Sequence, residues 1–97
     1  MAELLSDTEV TDALTALPGW ERAGNTIVRT VELSTFPEAV ALVDRVAEIA
    51  EARNHHPDID IRWRRVTFVC STHSEGGITG LDVELAREID RSVPPAG

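Results

Sequence analysis

Along the chain, apolar positions recur at helical spacing in some stretches and at alternate residues in others, and each change of period marks an element. Between Ser6 and Leu17, the residues Val10, Leu14 and Leu17 share a helical face. Ser6 and Glu9 fit a capping box, in which each side chain satisfies a free backbone N–H, and Pro18-Gly19 stops the helix. Trp20–Arg22 and Thr26–Leu33 read as strands joined by the turn residues Ala23-Gly24-Asn25. In the second strand Ile27, Arg29 and Val31 alternate with Val28, Thr30 and Glu32, so neither face is cleanly apolar.

Thr35–Arg53 predicts the longest helix. Thr35 and Glu38 match a second capping box, and Pro37 is tolerated in the first turn. Phe36, Val40, Val43, Val46 or Ala47, and Ala50 make its apolar stripe, with Glu38, Asp44, Arg45, Glu48 and Glu51 off it. Pro57 disfavours helical geometry at His56, so this helix ends near Asn54. Ile59, Ile61 and Trp63 alternate over Asp58–Trp63, and Val66, Phe68 and Cys70 over Val66–Ser71. The short gap between them predicts an antiparallel hairpin. In the last helix, Thr79–Arg91, Thr79 and Asp82 match a third capping box. Leu81, Val83, Leu85 and Ile89 supply apolar surface, and Pro94-Pro95 ends the helix. The order α-β-β-α-β-β-α predicts an α+β fold, a four-stranded antiparallel sheet with three helices packed on one face.

With 97 residues the chain suits one domain spanning 1–97, with 92–97 expected as a loose tail. A domain of this size buries only part of its surface, so association would help its stability. A composition 42% hydrophobic and 27% charged is that of an ordinary globular protein. The net charge of −8 argues against phosphate backbones and anionic lipid as partners. The densest basic run, Arg62, Arg64 and Arg65 around Trp63, reads as a solvated hairpin turn. No signal peptide is recognised at Met1-Ala2-Glu3-Leu4, and no run approaches the length of a membrane span. The single Cys70 agrees with a reducing cytoplasm and reads as a buried small hydrophobe.

Candidate chemistry lies in the histidines, all three of which fall between His55 and His73. Imidazole, with an ordinary pKa of ~6.5, is the side chain best suited to moving protons near neutrality. His55 and His56 sit where the long helix stops, and His73 follows the last strand, so both loci can meet at one end of the domain. Blander readings stand beside this one. Asp82 is equally well explained as a helix cap, Glu51 alone as a solvated helix residue, Trp20 and Trp63 as core aromatics, and Pro57 as a helix stop. A His-His pair with a third His also fits catalytic zinc, although zinc ligands usually lie at i, i+4 on a helix or i, i+2 on a strand.

The pattern Glu51-x3-His55-His56-Pro57-x5-Trp63-x9-His73-x8-Asp82, with Thr72-His73-x3-Gly77-Ile78-Thr79 and the early Gly19-Trp20, resembles the signature of pterin-4a-carbinolamine dehydratases. The resemblance spans nearly the whole chain and the order of its elements. It implies a lyase that takes the N5 proton of a 4a-hydroxytetrahydropterin and expels the 4a-hydroxyl as water, giving quinonoid dihydropterin. Such an enzyme needs no metal or cofactor, since the pterin is the substrate. By the same resemblance His56 exchanges protons with the substrate, while His55 and His73 bind the pterin and share acid–base duty. Glu51 orients a histidine, and Pro57, Trp63, Thr72 and Asp82 support the site. The resemblance also implies a cytoplasmic homodimer or homotetramer acting after aromatic amino acid hydroxylases. One departure is visible: family members often carry a basic residue where Leu81 stands, which puts substrate affinity or preference in question. The alternative is a binding module, a dimerisation cofactor or assembly chaperone on the same fold, which would not need the histidines.

Overall fold

A computed structural model describes residues 2–95. The elements are α1 (Asp7–Thr15), β1 (Glu21–Ala23), β2 (Thr26–Glu32), α2 (Phe36–Arg53), β3 (Asp58–Arg62), β4 (Arg65–Cys70), a 3-10 turn (His73–Glu75) and α3 (Gly80–Ser92). This is the expected order with a short turn added before α3. The four strands form one antiparallel sheet in the order β1-β2-β4-β3.

Strand register decides which side chains face the helices. Ile27 lies opposite Cys70, Val31 opposite Val66, and Ile59 opposite Phe68, which places the apolar residues of three strands on one face. Those residues join Val10, Leu17, Leu42, Val46, Val83, Leu85, Ala86 and Ile89 in a single core, so all three helices pack on that face. Burying each large aliphatic or aromatic side chain stabilises the fold by about 1.5–3 kcal/mol. The other face carries Val28, Thr30, Thr67 and Val69, with a hydroxyl contact of 2.9 Å between Thr30 and Thr67.

The mixed pattern of β2 has a specific cause. Arg29 lies on the helix-facing side, and its guanidinium pairs with Asp90 of α3. Asp90 also accepts from Trp20 Nε1 at 2.8 Å, so a charged residue at the core margin is matched and Trp20 is held as a core aromatic.

The caps at Ser6 and Thr79 form in both directions as expected. At Thr35 the described contacts include only the forward half, Glu38 N–H to Thr35 Oγ1 at 3.2 Å. The apolar stripe of α2 differs from expectation. Ala39, Leu42, Val46 and Ala50 face the core, Val43 is half-buried, and Phe36 and Val40 are half-exposed. Leu42 and Ala39 carry this face because the helix presents the i, i+3, i+7 and i+11 positions counted from Ala39 to the sheet. In α3 Ala86 is buried and Leu81 is exposed, the reverse of its expected apolar role. Ser92 is still helical, and Val93 packs against the core, so order extends past the expected start of the tail. Residues 96 and 97 lie outside the described ones.

Cys70 is fully buried, and burial first, then the charges of Asp82 and Asp58, push its thiol from 9.0 up to about 12. Because the folded value is the higher one, ionisation favours the unfolded chain. The folded state keeps its full advantage below about 9.0 and loses it as pH rises through about 12. The thiol is therefore expected to resist a disulfide reagent in the native chain at pH 8 and to react at once in denaturant. Rapid reaction of the native chain would contradict its burial.

Candidate active site

The end of α2 sets the geometry. Asn54 adopts a left-handed conformation (φ 51°, ψ 41°), and its N–H and that of His55 reach back to the last turn, with His55 N–H to Ala50 O at 3.1 Å. Such a residue just past a helix reverses the chain at little steric cost when it is Asn. Pro57 was the expected stop, but Asn54 makes the turn and sends consecutive side chains opposite ways. The His55 side chain turns inward and is only 11% exposed, while that of His56 is 55% exposed.

Inward, His55 Nε2 lies 2.6 Å from Asp82 Oδ1. Asp82 is fully buried in the first turn of α3. Its Oδ2 accepts from the Thr79 backbone N–H at 2.9 Å and from the Thr72 hydroxyl at 2.8 Å. The capping and catalytic readings of Asp82 are thus compatible, since one oxygen caps α3 and the other meets a histidine. Thr72 and Thr79, both buried, also touch through their hydroxyls at 2.8 Å. Outward, His56 Nε2 lies 2.8 Å from Glu51 Oε1, one turn back on α2. A carboxylate only accepts, so Nε2 carries the hydrogen in both pairs and Nδ1 is left as the atom able to take up a proton.

His73 follows Thr72 directly and opens the 3-10 turn, exposed to solvent. Thr72 pairs with Gly77, and Gly76 closes the turn at φ 74°. The loop is braced by the N-terminal segment, through Leu5 N–H to Ile78 O at 2.9 Å and a bridge from Leu4 to Thr79. A Cβ at Gly77 would meet Leu4 Cδ2 at 3.0 Å, so a side chain there would push the tip of Leu4 aside.

The chain Thr72–Asp82–His55 therefore brings the loci of all three histidines to one end of the sheet. Trp63 is elsewhere. Register pairs Arg62 with Arg65 and Asp58 with Val69, which puts Trp63 at the far tip of the β3–β4 hairpin, about 20 Å along the strand from Pro57. There it is 75% exposed, in a left-handed conformation, with Arg64 5.3 Å from its ring. It does not join this chain's histidines, because a two-residue turn reverses the strand at its position. Among the described residues no three His, Cys, Asp or Glu side chains converge in a metal-binding group. The buried hydroxyl of Thr79 escaped the sequence reading as part of the site. Its signal was present in the capping box it shares with Asp82.

The family described as pterin 4 alpha carbinolamine dehydratase matches residues 3–92. A relative from Nocardia farcinica, provisionally named pterin-4-alpha-carbinolamine dehydratase, is 64% identical over 91% of this chain and 93% of its own. Another of the same provisional name, from Roseiflexus castenholzii, is 54% identical over 96% of this chain and 100% of its own. A crystal structure from Brucella melitensis, described as a transcriptional coactivator/pterin dehydratase, superposes with a TM-score of 0.90 at 33% identity, over 93% of this chain and 98% of that one. The matching profile, the close relatives and the shared fold agree that this chain belongs to the pterin 4 alpha carbinolamine dehydratase family.

Proposed function

We propose that the chain dehydrates a 4a-hydroxytetrahydropterin by histidine acid–base catalysis. Beside family membership, the observation that carries this reading is the pair of imidazole–carboxylate contacts, His55–Asp82 and His56–Glu51, on adjacent residues. Dehydration requires a base at N5 and an acid at the neighbouring 4a-hydroxyl, so that the N5 proton leaves, the C4a–O bond breaks and water departs. Two adjacent imidazoles with the same hydrogen-bonded nitrogen, one buried and one open, suit such a split of duties. Each positioned acid or base is worth roughly 10²–10⁴-fold. His56, the exposed member, exchanges protons with the substrate. His55 and His73 bind the pterin ring and share acid–base duty. No resident cofactor takes part, and the enzyme works in the cytoplasm after an aromatic amino acid hydroxylase.

The same reading takes the enzyme to be a homo-oligomer. Phe36 and Val40 are half-exposed one turn apart on α2, with the half-buried Val43 beside them. A second reading, a protein-binding module, is favoured by the description of the Brucella melitensis structure as a transcriptional coactivator as well as a dehydratase. The histidines separate the two readings, because a binding module has no need of them.

Two outcomes are expected. Freshly generated 4a-hydroxytetrahydropterin should yield quinonoid dihydropterin faster with the protein than in buffer, and His56→Ala should remove roughly 10²-fold or more of that acceleration. A folded protein no better than buffer would end the enzyme reading. In sedimentation velocity the chain should run larger than a monomer, and Val40→Glu should shift it toward smaller species. A monomer at all concentrations would remove the association proposal.

A further inference from the structure

We propose that the buried hydroxyls of Thr72 and Thr79 are a positioning device that holds the Asp82 carboxylate on His55 and so keeps its tautomer, an inference that rests on the dehydratase reading only for its effect on turnover. Thr72 Oγ1 lies 2.8 Å from both Asp82 Oδ2 and Thr79 Oγ1, and it has one proton to give. The carboxylate cannot donate, so the Thr72 proton goes to Asp82. The Thr79 hydroxyl must then donate to Thr72, and it accepts in turn from the Leu81 backbone N–H at 3.2 Å.

Every link thus points the same way: Leu81 N–H to Thr79, Thr79 to Thr72, Thr72 to Asp82. A second donor, the Thr79 backbone N–H, ends on the same Oδ2. With Oδ2 occupied twice in a fully buried setting, Oδ1 is the oxygen left for His55, and it accepts from Nε2–H. His55 therefore keeps its hydrogen on Nε2 and presents Nδ1 as a lone pair. Neither threonine touches the reacting atoms in this account, and both act through Asp82.

The arrangement differs from that at His56. Glu51, which meets His56, is an exposed residue on a helix surface, and the only described hydrogen-bond partner of its carboxylate is that imidazole. Its orientation is set by side-chain freedom, whereas that of Asp82 is set by two buried donors besides His55, the Thr72 hydroxyl and the Thr79 backbone N–H. Adjacent histidines are thereby given unequal constraint: both carry their hydrogen on Nε2, but the acceptor of His55 is held in place and that of His56 is free to turn away.

The test reads the imidazole nitrogens directly by 15N NMR of histidine-labelled protein at a pH where His55 is neutral. In the unmodified chain His55 should show a protonated Nε2 and an unprotonated Nδ1. A predominant Nδ1–H form there would overturn the proposal before any variant is made. Thr72→Val should raise the Nδ1–H fraction and lower kcat roughly tenfold with KM little changed, and Thr79→Val should act in the same direction but less. Thr72→Ser, which keeps the hydroxyl, should restore the unmodified spectrum. A folded Thr72→Val with unchanged His55 nitrogens would refute the device. If the protein shows no dehydratase activity at all, the functional reading fails, and the nitrogen spectra still decide this proposal.

Discussion

A buried carboxylate must be satisfied where it stands, and in this chain that requirement falls on Asp82. The carboxylate is fully excluded from water, and unpaired it would cost the fold several kcal/mol. It is instead met from three directions: the start of its own helix, the loop that follows β4, and the residue just past α2. Each of these segments is remote from the others in sequence. Their junction at one side chain ties the ends of α2, β4 and α3 together, and the three histidines follow from it. His55 is the partner itself, His56 is its neighbour, and His73 is the neighbour of Thr72.

The sheet and helices serve this junction by bringing the ends to one place. The antiparallel register fixes where β4 delivers Thr72. The left-handed turn at Asn54 fixes where α2 delivers His55. Backbone contacts of Leu4 and Leu5 brace the loop between Thr72 and Thr79. The exposed ion pairs of Arg53 with Glu84 and Glu88 lie between the same helices, but at the surface such pairs contribute little. The precision of the site comes from burial and hydrogen bonding.

Most of the fold was legible in the sequence because local signals and tertiary need agree. Capping residues at Ser6 and Thr79, the Gly24-Asn25 turn and the alternation in β4 each act within a few residues. The histidines were legible by resemblance, and the helix-end position of His55 and His56 was readable from Pro57. What periodicity failed to give were choices made by neighbours. In α2, Phe36-Val40 and Ala39-Leu42 are both acceptable stripes, and only the docked sheet chooses the second. Leu81 reads as core by spacing, yet the inward direction at the start of α3 belongs to Asp82, which leaves Leu81 outside. Trp63 is part of the family pattern, but strand length places it far from the histidines of its own chain. Arg29 stands on the helix-facing side of β2 because Asp90, remote in sequence, pairs with it and with Trp20.

Asp82 is the acceptor that holds His55, and its isosteric replacement tests this role most directly. In Asp82→Asn the amide oxygen can still cap Thr79 N–H, but the amide N–H₂ would then face His55 Nε2 and force the opposite tautomer. The measurement is dehydratase turnover of this variant, after circular dichroism shows it folded. A loss of roughly 10²-fold or more is predicted, as expected when a catalytic imidazole is held in the wrong tautomer. A folded Asp82→Asn with nearly unchanged turnover would contradict the account.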